Sequence, residues 1–563
     1  MGEGKMSRIS CAELLVKCLE NEGVRYVFGV PGEEIIDILE YLRKSDIRFI
    51  LTRHEQGAAF MSNAFGKLTG YPGVCLSTLG PGATNLATGV ADALLGHSPM
   101  IAITGQVELD RLFKASVQRI DIQRLFAPIT KWNCMVYKET IVPEVVRKAF
   151  KVALTERFGP THIDVPADVA RGQMYGKPFT KFESEEPSAN EESISRASEY
   201  INAAKAPIIL AGAGVVRERA WSELRRFAEK ANIPVVNTRG AIGVFPHSSY
   251  LSLFTASLPF NDIINCAFEY SDLIVTVGFD IEEYPPSMWN AKGERRIIHV
   301  DTNQAEVDAH YDPVVEVIGG IKGSLKKLEK EMRERKHWDY ALEIRNRLMH
   351  DISEAKRANS EKGKIKPQRV IMELRTVLSN DDILVSDVGA HMYWISKYYT
   401  SDIPRSVLAP GGFAAMGFGL PAGIAAKLVH PQKNVVVVSG DGSFVMSDPD
   451  FETAVREKLP ITFVILNDKK YGLIGLEQRM LSKEEFGISF TNPDFVKYAE
   501  AYGVKGIKVK EISELNSALK ESLGMKMPTI VDVRIDYDEN VKLMQKMLEK
   551  SCPSPYLSSY QSD

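Results

Sequence analysis

Two aspartates stand where strongly apolar stretches run out: Asp441 in "VVVVSGDGSF" (Val435 to Phe444) and Asp468 in "ITFVILNDKKYG". A carboxylate at the tip of a buried strand, with Gly440 and Gly442 on either side, suits a tight turn. It also suits a place where a cation and a phosphate meet the backbone. The plain reading is a strand, a glycine turn and a capped helix, since Ser447 with Asp450 resembles a capping box and Pro449 falls in a first helical turn. An EF-hand is excluded, because Met446 occupies the position where a calcium loop requires glycine. In a parallel sheet, adjacent strand ends lie side by side at the carboxyl edge, where ligands bind. Asp441 and Asp468, 468 − 441 = 27 residues apart, could then share one hard cation. Magnesium suits them, needing one or two carboxylates and completing its shell with phosphate oxygens and water.

Glu55, in "LTRHEQGAAFMSNAFGKLTG", sits where "RFIL" ends and an Ala/Phe/Met-rich helix begins. The spacing fails HExxH, which excludes a zincin. A helix cap and a functional acid both fit; burial would raise its pKa and make it a proton donor near neutrality. Two glycine-proline turns, "FGVPG" with Pro31 and Gly32 and "LGPGATN" with Pro81 and Asn85, are turns or ligand loops. "LAGAGVV" resembles a dinucleotide loop, but Arg217 replaces the third glycine and the fingerprint fails. Met416 reads first as a gap-filling core methionine. His391 in "SDVGAHMYW" follows a strand end, where an imidazole could donate to phosphate or simply pack.

These residues need sheets to hold them. Strand-length apolar runs alternate with amphipathic helical stretches: "RYVFGV", "RFILTR", "GVCLST", "PMIAIT" and "THIDVP", then "APIILAGAG", "IPVVNT", "SDLIVTVG" and "RRIIHVD", then "DILVSDVG", "NVVVVSGDG", "ITFVILND" and "PTIVDVR". The alternation predicts three α/β doubly wound parallel-sheet domains, at 1–185, 190–340 and 365–545. Polar stretches at 176–193 and 353–369 read as connectors, the charged 323–339 as a solvated helix face, and 551–563 as a flexible tail.

With 563 residues the chain is long enough for several cores. Its 69 basic and 73 acidic residues leave no electrostatic footprint for nucleic acid or anionic membrane. Small metabolites are the expected partners. The six scattered cysteines have no CxxC pair and predict reduced thiols. The N-terminal stretch lacks the apolar region of a signal peptide, and no apolar run approaches a membrane span, so a cytoplasmic protein is expected.

Taken together, "VFGVPG", "RHEQGAAFMSNAFGKLTG", "GPGATNLATG", "HIDVPADV", "SGDGSF" and "LNDKKYG" resemble thiamine-diphosphate (ThDP) enzymes of the acetolactate synthase and pyruvate oxidase group. "TVGFDIEEYPPSMWN" before "GERRIIHVD", with "EEFG", "DFVKYAEAYG" and Asp468 itself, is similar to the FAD-independent, catabolic synthases. The resemblance implies a pyrimidine-binding first domain, a middle domain without tightly held flavin, and a diphosphate-binding third domain. It implies decarboxylation of pyruvate and carboligation of the two-carbon unit to a second pyruvate, giving 2-acetolactate. It also implies a homo-oligomer, dimer or tetramer, with active sites between two subunits.

By position, the resemblance makes Glu55 the partner of the pyrimidine N1′ and gives Mg²⁺ to Asp441, Asp468 and the main-chain carbonyl of Lys470. It places Pro31, Gly32, Pro81, Asn85, His391, Ala414, Met416, Gly440, Gly442, Ser443, Tyr471, Gly472 and Leu473 at the cofactor, and Val117, Gln118 and Glu477 near substrate. Phe413-Ala414-Ala415, Val117 and Glu477 depart from the family pattern. Those departures keep open a ThDP decarboxylase or a flavin-dependent pyruvate oxidase.

Overall fold

A computed structural model describes residues 8–181, 186–256, 263–333, 339–358, 364–548 and 552. The chain forms two compact units, one of residues 1–184, 410–432 and 445–461, the other of residues 185–409, 433–444 and 462–563.

The first unit is built on a six-stranded sheet, ordered Arg48–Leu51, Tyr26–Gly29, Gly73–Ser77, Met100–Gln106, Pro160–Pro166 and Trp132–Met135, with every paired neighbour parallel. Val74, Ile101, Ile103 and Ile163 are buried in its core, as near-continuous apolar strands covered on both faces require. Helix Glu55–Thr69 follows the first of these strands and is buried along nearly its whole length. Small residues let it pack closely on helix Pro81–Leu95: a Cβ at Gly89 would lie 2.4 Å from that of Ala59. Helix Gly419–Val429 lies on its other side, where Phe60 and Phe418 meet edge to face at 5.7 Å.

The second unit carries two more six-stranded sheets. The middle one runs Ser252–Ala256, Val235–Thr238, Pro207–Ala211, Leu273–Val277, Arg296–Asp301 and Val315–Ile318. The third runs Val407–Leu408, Ile383–Ser386, Val435–Gly440, Ile461–Asn467, Thr529–Arg534 and Lys505–Val509. The three-sheet α/β architecture is the one expected from the sequence.

Local expectations are corrected in places. Cys266 and Cys552 form a disulfide, while Cys11, Cys18, Cys75 and Cys134 are free thiols. The pairing spans 286 residues, so no spacing announces it. Burial pushes the Cys11, Cys18 and Cys75 thiols up to about 12, which makes them inert packing groups. The stretch 353–369 is only partly a connector, since helix Asp339–Arg357 runs into it and helix Pro367–Val377 begins in it. Helix Ile321–Glu331 buries Leu325 and Leu328 beneath its charged face. Apart from Cys552, the expected tail lies outside the described residues. No helix among the described residues is long and apolar enough to cross a membrane.

Candidate active site

Three neighbouring strands of the third sheet deliver His391, Asp441 and Asp468 at their carboxyl ends. Asp441 is buried, with Oδ1 accepting the N–H of Gly442 (2.9 Å) and Oδ2 that of Lys469 (2.7 Å). Burial raises its pKa. Burial and the adjacent Asp441 charge push Asp468 up to about 7. Two acids that raise one another's cost of ionisation invite a cation between them. Among the described residues no group of three His, Cys, Asp or Glu side chains could hold a metal. This pair therefore needs further oxygen donors, as magnesium on a diphosphate provides.

The surroundings fit such a group. His391 is buried, its Nε2 finds no hydrogen-bond partner among the described residues, and burial pushes its pKa down to about 4. A Cβ at Gly442 would lie 2.7 Å from the Tyr471 ring, and one at Gly472 would lie 2.9 Å from Asp468 Oδ2. Glycine at both positions keeps backbone and carboxylate accessible. Ser443 Oγ donates to the Val388 carbonyl (2.8 Å), tying two of these strand ends together. Lys470 sends its ammonium away to Glu485 (2.6 Å) and the Tyr537 ring, and Tyr471 anchors its N–H on the Ile488 carbonyl (2.9 Å). Leu473 is partly buried against the core, while Glu477 is exposed one turn further along helix Gly472–Met480.

At the carboxyl end of the first sheet, Glu55 is 9% exposed and opens its helix; Asn85 Nδ2 donates to its Oε2 at 2.9 Å. The sequence left Glu55 between a cap and an acid. The capping is done by His54, whose Nδ1 accepts the Gln56 N–H at 3.1 Å. Pro31 and Gly32 occupy the turn after the adjacent strand, where a Cβ at Gly32 would strike Thr78 at 2.3 Å. Gly80 has φ +51°, and a Cβ there would meet the Gln118 carbonyl at 2.5 Å. The "LGPG" turn and the Gln118 segment are thus pressed together; Gln118 itself has φ +59°, and Val117 is exposed. Pro81 starts the helix that carries Asn85.

Two carboxylates that the sequence did not single out as site residues hold this end together. The expected Ser447/Asp450 capping box does not form: Ser447 Oγ donates to the Gly417 carbonyl (2.6 Å) and makes no cap. Asp450, 1% exposed, instead accepts the Arg53 N–H at 2.8 Å and packs so tightly on Gly57 that a Cβ there would lie 1.8 Å from its Oδ2. The sequence signal was Gly57, a costly residue in a helix unless a neighbour needs the space. Buried Asp92 accepts from Asn63 Nδ2 (2.7 Å), and burial raises its pKa against the opposing pull of Lys67 and of the nearby Gly411 and Ala415 main chain. It faces the turn that carries Ala414, at φ +50°, and Met416, which is partly exposed and not a core methionine.

The middle sheet ends differently. In "LAGAGVV" the Ala213 N–H donates to both oxygens of Glu283 at 3.0 Å, Thr238 Oγ1 donates to Oε2, and the Asp280 N–H donates to Oε1 at 3.3 Å. A Cβ at Gly212 would sit 2.8 Å from Glu283 Oε1. The loop's donor is already taken by a carboxyl group supplied by the chain itself, whose pKa burial raises.

Comparison with known proteins accounts for the layout. Residues 9–125 match the N-terminal TPP binding domain of thiamine pyrophosphate enzymes, 194–328 their central domain and 387–533 their C-terminal TPP binding domain. The acetolactate synthase of Bacillus subtilis (strain 168) is 35% identical over 545 residues, covering 96% of this chain and 95% of that protein. The large subunit of Escherichia coli (strain K12) acetolactate synthase isozyme 1 is 33% identical over 551 residues, covering 95% of each. The chain belongs to the acetolactate synthase family of thiamine pyrophosphate enzymes. Chloroplastic acetolactate synthase 2 of Nicotiana tabacum is 34% identical over 550 residues, covering 94% of this chain and 82% of the plant protein.

Proposed function

We propose that the protein is a flavin-independent acetolactate synthase, converting two pyruvate molecules into 2-acetolactate and CO₂. Bound thiamine diphosphate supplies the electron sink for decarboxylation. The chain supplies position, a proton relay and exclusion of water. Asp441, Asp468 and the Lys470 main-chain carbonyl hold Mg²⁺. Gly440, Gly442, Ser443, Tyr471, Gly472, Leu473 and His391 receive the diphosphate, with the His391 Nε2, which has no partner among the described residues, as one contact. Pro31, Gly32, Pro81, Asn85, Ala414 and Met416 surround the ring system.

Glu55 holds and returns the proton at its carboxylate, and Asn85, donating to Oε2, keeps that group aimed. Val117, Gln118 and Glu477 border the substrate, and the site is completed in a homo-oligomer. The domain limits proposed are 1–185, 190–340 and 365–545.

The observation that carries the flavin-independent part is Glu283. Main-chain N–H groups of a dinucleotide loop bind a diphosphate when they are free to do so, and here the Ala213 N–H is committed to a carboxylate. The test is product analysis after mixing protein, pyruvate, thiamine diphosphate and Mg²⁺, with and without FAD. Equal yields of acetolactate are expected in both mixtures. Acetaldehyde as the main product, or peroxide that requires added FAD, overturns the reading.

A further inference from the structure

Asn492 precedes Pro493 in the segment that enters helix Phe495–Ala501, far in sequence from either acid motif. Its side chain nevertheless reaches both. Asn492 Nδ2 donates to Asp441 Oδ2 at 2.6 Å and to Asn467 Oδ1 at 3.1 Å. Asn467 Nδ2 in turn donates to Asp532 Oδ1 at 2.9 Å. Asp532 is 4% exposed and lies on the strand paired with Asn467's own.

The polarity of this chain of amides is fixed from both ends. A carboxylate without a proton only accepts, so Asp441 requires the nitrogen of Asn492, and Asp532 requires the nitrogen of Asn467. The oxygen of Asn467 is then left facing Asn492, whose two amide hydrogens are both used. Flipping either amide would set donor against donor or acceptor against acceptor. The backbone adds a further restraint, because the ring of Pro493 disfavours helical geometry at Asn492 and keeps that residue extended.

We propose that Asn492 is a positioning residue for the metal site: it holds the Asp441 carboxylate in the orientation that presents it to Mg²⁺, and Asp532 sets its direction through Asn467. Groups that orient a ligating carboxylate typically change metal affinity by about 10- to 100-fold when removed. The inference rests on the metal reading of Asp441 and Asp468, and the experiment separates the two.

Mn²⁺ binding to the full chain, in the presence of thiamine diphosphate, is followed by the loss of the free-ion EPR signal. Asn492→Ala is expected to raise the Mn²⁺ dissociation constant about 10-fold or more. Asp532→Leu leaves Asn492 in place but frees the Asn467 amide to flip, and a smaller increase is expected. Asn492→Ser serves if the alanine variant does not fold, with the same expectation.

A wild-type affinity retained in the Asn492 variant, whatever its melting temperature, overturns the positioning role while leaving the metal site intact. Failure of the wild-type protein itself to bind Mn²⁺ overturns the metal reading and this inference with it. A fall in melting temperature alone counts as a structural role and against the proposal.

Discussion

The middle and third sheets share strand number, parallel pairing and glycine-bearing loops at their carboxyl ends, yet those ends are chemically opposite. In the third, buried His391 keeps an Nε2 that has no partner among the described residues, and two acids crowd one another. In the middle, Glu283 takes the Ala213 N–H and the Thr238 hydroxyl. One end keeps polar groups without partners among the described residues, while the other is satisfied from within. The lesson is that a doubly wound sheet offers a place for a ligand, and individual side chains decide whether the place is kept open.

The contrast can be broken most severely at Glu55, the open end of the first sheet. Glu55→Gln is expected to lower the rate of acetolactate formation about 10²- to 10⁴-fold, the range for positioned acid-base catalysis. Wild-type turnover would remove Glu55 from the relay. Next is Asp450→Ala, which deletes the acceptor of the Arg53 N–H two residues before Glu55. Loosening that turn should cost up to about 10²-fold in kcat, the scale of small misplacements, with thiamine diphosphate affinity less affected; a loss confined to stability would deny it a positioning role.

At the closed end, Glu283→Ala should leave turnover unchanged and reduce stability by about 1–3 kcal/mol, since a main-chain donor loses its partner. Denaturant unfolding measures the second effect, and a stability equal to wild type would mean that the plug is not structural.

A pH-dependent effect concerns Asp164, a carboxylate that belongs to neither kind of end. It is 1% exposed, accepts from Thr104 Oγ1 (2.7 Å) and Gln106 Nε2 (3.2 Å), and burial pushes it from the ordinary 3.8 up to about 7. An acid with a raised folded-state pKa stabilises the fold below its unfolded value, and that stability is lost as pH rises through the folded value. Between about pH 4 and 7 the wild type should lose a few kcal/mol relative to Asp164→Asn. Parallel melting-temperature profiles for the two proteins would contradict it.

Much of this was legible in the sequence. All thirteen quoted apolar runs are strands; all but the edge strand Arg48–Leu51 are interior, and interior parallel strands are continuous apolar runs bounded by turns. In the three six-stranded sheets the strands not quoted, Trp132–Met135, Ser252–Ala256, Val315–Ile318, Val407–Leu408 and Lys505–Val509, all lie at sheet edges. Most are short or partly exposed, as Lys505–Val509 is, and so lack that signature. The positions of Asp441 and Asp468 at a sheet's carboxyl end were legible because each directly follows a strand, and that of Glu55 because it opens the helix after one.

Asn492, Asp92 and Glu283 could not be assigned their contacts, because each reaches a partner distant in sequence and its own neighbours carry no pattern. Asp450 was misread for a related reason. A capping-box spacing describes only local options, and Asp450 takes the N–H of Arg53, 397 residues away, beside the nearby Thr453 hydroxyl.

The central claim is that the acidic strand ends of the third sheet hold the cofactor's diphosphate through a divalent ion. Calorimetric titration of thiamine diphosphate into the protein, with Mg²⁺ and again with a chelator, tests it most directly. Saturable binding that needs Mg²⁺ and is abolished in Asp441→Ala is the predicted result. No binding in ample Mg²⁺, or equal binding with the ion removed, would contradict the account.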